Sequence, residues 1–297
     1  MPVTPMIRAK AKQLMSNQST ANTTAIGASS AATSSDKATV TAVTHWTDNL
    51  FSFSVQRPPS FRFRSGEFVM IGLDDDTNKP VTRAYSIASP NWDDKLSFYS
   101  IIVPDGKLTS QLRHIKIGDD IILWPKTTGT LVLDRLRGGK RLYLIASGTG
   151  FAPFAALIRD PETYDRFDQI IVSHTCRTTA ELGYSRHIID DTFAHPFIGE
   201  MALDRLHYFP TVTREAFAQT GRITDHLRTG SLFTALDMPQ LDAASDRVMV
   251  CGSLGLNHDV ASILQDIGLR EGTLNNSGEY VIERAFVGND IANNNSF

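Results

Sequence analysis

Arg83-Ala84-Tyr85-Ser86 brings a guanidinium, an aromatic ring and a hydroxyl within four residues, and Ile87-Ala88-Ser89-Pro90 follows at once. An apolar run stopped by a proline reads as a strand, Tyr85–Ala88. Side chains alternate along a strand, so Arg83 and Tyr85 face one way and Ala84 and Ser86 the other. An arginine fork matches a phosphate, and a tyrosine face matches a flat heteroaromatic ring. One strand offering both suits a flavin nucleotide. The plain alternative is an edge strand with an exposed arginine and a half-buried tyrosine.

A second group is Ser147-Gly148-Thr149-Gly150-Phe151-Ala152-Pro153, directly after the apolar Leu142–Ala146. Glycines let backbone approach a pyrophosphate, and the start of a helix adds N–H groups and partial positive charge. The spacing departs from the six-residue Gly-x-Gly-x-x-Gly fingerprint, so a tight turn without a ligand competes. Arginines recur after later apolar runs: Cys176-Arg177 after Ile171–His174, Thr213-Arg214 after Tyr208–Val212, and Arg222 in Gly221-Arg222-Ile223. Singly, each reads as a solvated surface residue. Three on one sheet edge suit an adenosine 2′-phosphate, which favours NADPH over NADH. Cys251-Gly252-Ser253-Leu254-Gly255 closes the last such run. A thiol beside a glycine leaves room for a flat nicotinamide ring, while most strand cysteines are small buried hydrophobes.

These groups need elements to hold them, and 297 residues are enough for two domains. Residues 38–137 read as short strands Thr39–Val43, Leu50–Val55, Phe68–Leu73, Tyr85–Ala88, Leu96–Val103 and Asp120–Trp124, with one helical pattern at Leu108–Ile115. Turn signals between them suggest a small closed barrel. From residue 138, buried-type strands Leu142–Ala146, Gln169–Ser173, Leu206–Thr211 and Arg247–Cys251 alternate with helices Ala152–Ile158, Tyr184–Asp191, Thr224–Thr229 and Asn257–Ile267. That alternation is an open α/β sheet.

Composition removes several classes. The chain is 41% hydrophobic and 21% charged, as expected of a soluble globular protein, and no apolar run is long enough to span a membrane. Two widely separated cysteines exclude a disulfide framework, a zinc site and an iron–sulfur cluster, and point to a reducing, cytoplasmic setting. Residues 1–37 are Ser/Thr/Ala-rich, with Arg8, Lys10 and Lys12 and no acid before Asp36. They read as a disordered tail, with an organelle transit peptide as the alternative. Residues 37–137 carry a net +2 and residues 138–297 a net −7, so any acidic partner would dock on the first half, around Arg57, Arg62, Arg64 and Lys79. Nothing suggests nucleic acid, and a monomer is expected.

In order along the chain, Arg83–Ser86, Val103-Pro104-Asp105-Gly106-Lys107-Leu108-Thr109, Gly148–Gly150, Cys251-Gly252 and Tyr280-Val281-Ile282-Glu283-Arg284-Ala285-Phe286 resemble the bacterial branch of the ferredoxin/flavodoxin–NADP(+) reductase family. The resemblance implies an antiparallel Greek-key FAD-binding barrel followed by an NADP-binding α/β domain with a parallel sheet. It implies that Arg83 meets the FAD pyrophosphate, Tyr85 packs on the flavin and Ser86 bonds near N5, with Ala84 between them. Tyr99, Ile101, Val103, Lys107, Leu108 and Thr109 would wrap the ribityl and phosphate groups, joined by Thr149. NADP(H) would lie on Gly148, Thr149, Gly150, Gly252 and Ser253, its 2′-phosphate among Cys176, Arg177, Thr213, Arg214 and Arg222. Ser86, Cys251, Glu283 and Ala285 would form the catalytic set, with Glu283 handling a proton, Ala285 facing the isoalloxazine and Phe286 the adenine. No metal is implied.

The electron partner under this resemblance is ferredoxin, flavodoxin or both. An NADPH-dependent flavin or ferric reductase, or a flavin redox sensor without enzymatic activity, are the competing readings. An oxygenase reductase carrying its own [2Fe–2S] module would need four cysteines. The chain continues beyond Phe286 as a polar stretch through Asn293-Asn294-Asn295.

Overall fold

The computed structural model describes residues 36–74, 79–103, 106–273 and 275–284. Ala285, Phe286, Pro104, Asp105 and nearly all of the N-terminal segment lie outside them.

Strands β1 (Asp36–His45), β2 (Leu50–Gln56), β3 (Phe68–Asp74), β4 (Pro80–Ser86), β5 (Lys95–Ile101) and β6 (Asp120–Thr128) form an antiparallel sheet of order β4-β3-β6-β1-β2-β5. β1 bends at a bulge between Val40 and Ala42. Residues before it pair with β6, and residues from Val40 on pair with β2. That bend rolls the sheet toward a barrel. In β2, Phe51, Phe53 and Val55 point inward and meet Val69, Ile71, Leu96 and Phe98 in one core. Each buried phenylalanine contributes roughly 1.5–3 kcal/mol. The barrel is not closed by a ladder, because β4 and β5 are the two edges of the sheet. Side chains span the gap instead: Tyr85 Oη lies 2.9 Å from Ser100 Oγ.

The second half forms a parallel sheet from β7 (Arg141–Ser147), β8 (Gln169–Cys176), β9 (Leu206–Val212), β10 (Asp246–Gly252) and β11 (Tyr280–Arg284), in the order β11-β10-β7-β8-β9. The chain builds outward from β7 through β8 to β9, then crosses to the other side for β10 and β11. Order therefore reverses between β7 and β10, the place where open α/β sheets bind ligands. β7 is buried on both faces. Leu142, Leu144 and Ala146 join a core with Phe151 and Phe154, whereas Tyr143 and Ile145 join one with Phe233, Val260 and Leu264. The first of these cores also takes Leu50, Ala88 and Tyr99 from the antiparallel half, so the two halves share apolar packing. A half-buried arginine pins the same junction: Arg159 Nη2 donates to Ala88 O at 2.6 Å and its Nε to Ala155 O at 2.8 Å.

Helices are α1 (Thr109–Leu112), α2 (Ala152–Leu157), α3 (Pro161–Arg166), α4 (Gly183–Ala194), α5 (Ile198–Ala202), α6 (Ile223–Thr229), α7 (Ser231–Ala235) and α8 (Leu254–Asp266). Several differ from the sequence expectation. The strand expected at Tyr85–Ala88 runs instead over Pro80–Ser86, because pairing with β3 carries it through the polar Thr82-Arg83. Pro80 is tolerated at the first position of an edge strand, where its missing N–H costs no ladder bond. The helix expected over Leu108–Ile115 contracts to Thr109–Leu112, although Leu108, Leu112 and Ile115 all bury in the barrel core. Asp36 and Lys37, read as tail, pair with Leu123 and Ile122 of β6. β11 and the short α3, α5 and α7 carried no periodic signal of their own.

Candidate functional site

Two loops interlock at the point where strand order reverses. Gly148–Phe151 forms a 3-10 turn after β7 and leads into α2. Opposite it, β10 ends at Cys251-Gly252 and α8 begins, with the Ser253 side chain capping the Leu256 N–H. The loops touch so closely that side chains are excluded. A Cβ on Gly150 would lie 2.1 Å from Cys251 O, and one on Gly252 2.3 Å from Ser147 Oγ. Ser147 Oγ also accepts the Ser253 N–H at 3.1 Å. Gly148 has a φ of +53° and open space where a Cβ would be. A glycine is needed there for backbone freedom rather than for room.

The three arginines gather beyond β8 and β9. Thr213 N donates to Cys176 O at 3.0 Å and Arg214 N to Arg177 O at 2.9 Å, so the segments leaving the two strands stay side by side. Arg222 occupies the N-cap position of α6 without a side-chain cap bond, after Gly221 N bonds back to Val212 O. Arg177, Thr213, Arg214 and Arg222 are exposed, and among the described residues none of these three guanidinium groups enters an ion pair. The Cys176 thiol points the other way, into a small core with Leu182 and Val212. Its contribution to this edge is its carbonyl.

On the barrel side, Arg83 and Tyr85 pair with Ile71 and Val69 of β3 and share their face, while Ala84 and Ser86 take the other. Tyr85 is half-buried, edge-on to Phe98, and burial raises its hydroxyl to about 12. Arg83 Nη1 donates to Thr82 O at 2.8 Å. Tyr99 stacks on Tyr184 of α4, with centroids 4.1 Å apart, and its buried hydroxyl has no partner. Val103 and Thr109 are tied together: Thr109 Oγ1 takes the Val103 N–H at 3.1 Å, and Gly106 N bonds to Val103 O. Leu108 is buried in the barrel core, so only its backbone can meet a ligand. Ile101, Val103, Thr109 and Thr149 remain partly accessible and Lys107 is exposed.

β11 carries Glu283 to the junction, beside Cys251 in register. Its side chain is only 8% exposed. Oε2 accepts the Thr130 N–H at 2.9 Å, and Oε1 is buried without a partner. Burial pushes the carboxyl up to about 7, with the Thr130 hydrogen bonds opposing and the nearby Glu67 adding. Asn257 of α8 donates Nδ2–H to Glu283 O at 3.1 Å, and its own Oδ1 is buried and unpartnered. The Cys251 thiol is raised by burial first and by Glu283 second, which keeps it neutral and non-nucleophilic. The orphaned polar atoms of Asn257 and Glu283, which meet at this junction, fit a site that takes a polar ligand.

Thr130, Glu67, Asn257 and Tyr184 escaped the sequence reading as site residues, and Ser147 was read only as the first residue of the glycine run. The basic face expected around Arg57 is largely spent on the chain itself. Arg57 donates to Phe61 O, Asn91 O and Asp93 O, Arg62 to Pro59 O and Phe61 O, and Arg64 pairs with Asp134 at 2.5 Å.

A rolled antiparallel sheet joined to a switch-point α/β sheet is the architecture of flavin- and nicotinamide-dependent oxidoreductases. Residues 37–125 match the oxidoreductase FAD-binding domain family and residues 144–262 the oxidoreductase NAD-binding domain family. The flavodoxin/ferredoxin–NADP reductase of Rhodobacter capsulatus is 57% identical over 86% of this chain and 95% of its own length. The ferredoxin–NADP reductase of Pseudomonas aeruginosa is 47% identical over 84% and 96%. The crystal structure of a ferredoxin NADP+ reductase from Neisseria gonorrhoeae with bound FAD and NADP superimposes with a TM-score of 0.75 at 27% identity, covering 85% of this chain and 99% of that one. The chain belongs to the ferredoxin/flavodoxin–NADP reductase family.

Proposed function

We propose that this protein is an FAD-dependent reductase exchanging electrons between NADPH and a one-electron carrier, ferredoxin or flavodoxin. One observation carries the reading furthest. Two glycine loops interlock at the switch point, and Glu283 beside them, its carboxyl pushed up to about 7 by burial, is held by Thr130 from the other half of the chain. A dinucleotide platform and a buried proton store thus meet at one junction.

When bound, FAD supplies hydride acceptance and single-electron release, which no side chain can provide. Arg83, Ala84, Tyr85 and Ser86 would hold it with Tyr99, Ile101, Val103, Lys107, Leu108, Thr109 and Thr149. Gly148–Gly150, Gly252 and Ser253 would seat the NADPH pyrophosphate and nicotinamide, and Arg177, Arg214 and Arg222 the 2′-phosphate. At neutral pH a proton on Glu283 sits on Oε1, because Oε2 already accepts the Thr130 N–H. Shared packing through Tyr99, Phe151 and Ala146 keeps water from the junction.

The division near residues 137 and 138 assigns flavin binding to the first half and nicotinamide binding to the second. We place the protein in the cytoplasm as a monomer. In support, no described helix is long and apolar enough to cross a membrane, and both cysteines are free thiols. The test is anaerobic stopped-flow mixing of the yellow protein with NADPH or NADH, then delivery to ferredoxin, flavodoxin or free flavin. Bleaching by NADPH with fast carrier reduction is expected. Bleaching with electrons passing only to free flavin would reject the carrier assignment, and a preparation that cannot be loaded with FAD would reject the whole reading.

A further inference from the structure

His174 is fully buried on β8, where it pairs in register with Ala146, two residues before Gly148. Its Nε2 lies 2.8 Å from Gly148 O. A carbonyl can only accept, so Nε2 carries the hydrogen and Nδ1 is bare. Nδ1 lies 2.8 Å from Ser185 Oγ on α4, whose single hydrogen is shared between Nδ1 and Leu182 O at 3.0 Å, and Ser185 Oγ lies 2.7 Å from Tyr208 Oη on β9. With Nε2 donating to Gly148, Nδ1 is left to accept from Ser185, whose oxygen is free to accept from Tyr208. The ring is further clamped by Phe151, stacked at 5.0 Å. Burial lowers the imidazole to about 4, so it stays a neutral single donor near neutrality. Cys176 Sγ lies 3.3 Å from Nε2.

The Gly148 peptide matters because its residue has a φ of +53° and nothing crowds it. A planar trans peptide points its C=O and its N–H in opposite directions. Anchoring Gly148 O inward on His174 therefore turns the Thr149 N–H outward, to the carboxyl edge of the sheet. We infer that His174 is a positioning residue that sets the orientation of the Gly148–Thr149 peptide for the dinucleotide pyrophosphate. The inference rests on the proposed NADP(H) site. It adds a residue that touches neither cofactor and reaches the site from beneath the loop.

The effect should be common to both nicotinamide dinucleotides, since the pyrophosphate is common to both. His174→Phe keeps the stack on Phe151 and removes the donor. In the FAD-loaded protein, calorimetry should show NADP+ binding weakened about five- to tenfold, the scale of one neutral hydrogen bond. KM should rise by the same factor for NADPH and for NADH, with kcat at saturating NADPH within about twofold of the parent. His174→Gln, whose amide N–H reaches the same carbonyl, should restore binding to within about twofold. Unchanged NADP+ affinity in His174→Phe, or Gln as impaired as Phe, overturns the inference. If His174→Phe does not fold, Ser185→Ala decides: about twofold weaker binding supports the chain of donors, and unchanged binding overturns it. Absence of NADP+ binding by the parent protein would instead overturn the dinucleotide site itself.

Discussion

Glu283→Gln isolates the cost of holding a carboxyl at the junction. Oε1 has no partner and Oε2 has the Thr130 N–H, so the charged form lacks the hydrogen bonds water would give it. The carboxyl is pushed from 4.5 to about 7 in the folded chain. Below pH 4.5 it is protonated whether the chain is folded or not. Between 4.5 and 7 the folded chain keeps a proton the unfolded chain releases, and above 7 the fold carries the full penalty. At roughly 1.4 kcal/mol per pKa unit, the loss amounts to about 3 kcal/mol by pH 8. Glutamine keeps an acceptor for Thr130 and removes the charge. Urea unfolding of both FAD-loaded proteins at pH 5, 6, 7 and 8, at fixed ionic strength, measures the difference. The stability of Glu283→Gln relative to the parent should climb by about 2–3 kcal/mol from pH 5 to pH 8. A difference that stays flat, with equal m-values, would show that Glu283 is already ionised in the folded protein and that the junction stores no proton.

Three further outcomes follow from the same geometry. Arg177→Ala or Arg214→Ala should raise KM for NADPH by roughly 10- to 100-fold, as one charge-assisted contact of about 1.5–3 kcal/mol requires. KM for NADH should barely change, and an equal loss with both cofactors contradicts the 2′-phosphate assignment. Asp246→Ala should cost about 3–5 kcal/mol in urea unfolding, because it strands Arg141. That arginine donates from Nε and Nη2 to a fully buried carboxylate at 2.6 Å each. A double change to Met and Leu at the pair should recover most of the loss. Gly150→Ala forces a Cβ to 2.1 Å from Cys251 O, so the switch-point loops must part. Melting temperature and NADP+ affinity should both fall, at an overpacking cost of about 1–3 kcal/mol. A variant unchanged in both would show that the loops need not interlock.

Much of the architecture was legible because it is written in short-range pattern. Leu-Phe-Ser-Phe-Ser-Val at β2 alternates with period two, and it folds with Phe51, Phe53 and Val55 inward. The apolar runs at β7, β8 and β10 lack alternation because both faces are covered, and each became a parallel strand, with the partly buried β9 at the edge. Glycines before and after the switch point were visible as loop signals, since only backbone constraints favour glycine there. Where pattern misled, pairing had overruled it: β4 extends through polar residues because β3 lies alongside.

The sequence by itself determined the element types and the glycine loops between them, because motif and element type are local properties of the chain. Tertiary structure alone decided who meets whom. Thr130 and Glu283 are 153 residues apart, His174 and Gly148 meet across neighbouring strands, and the Gly150–Cys251 contact exists only because strand order reverses between them. Such partners have no signature in a single chain, since the free energy of a long-range contact depends on the fold that closes the loop, not on the residues flanking it.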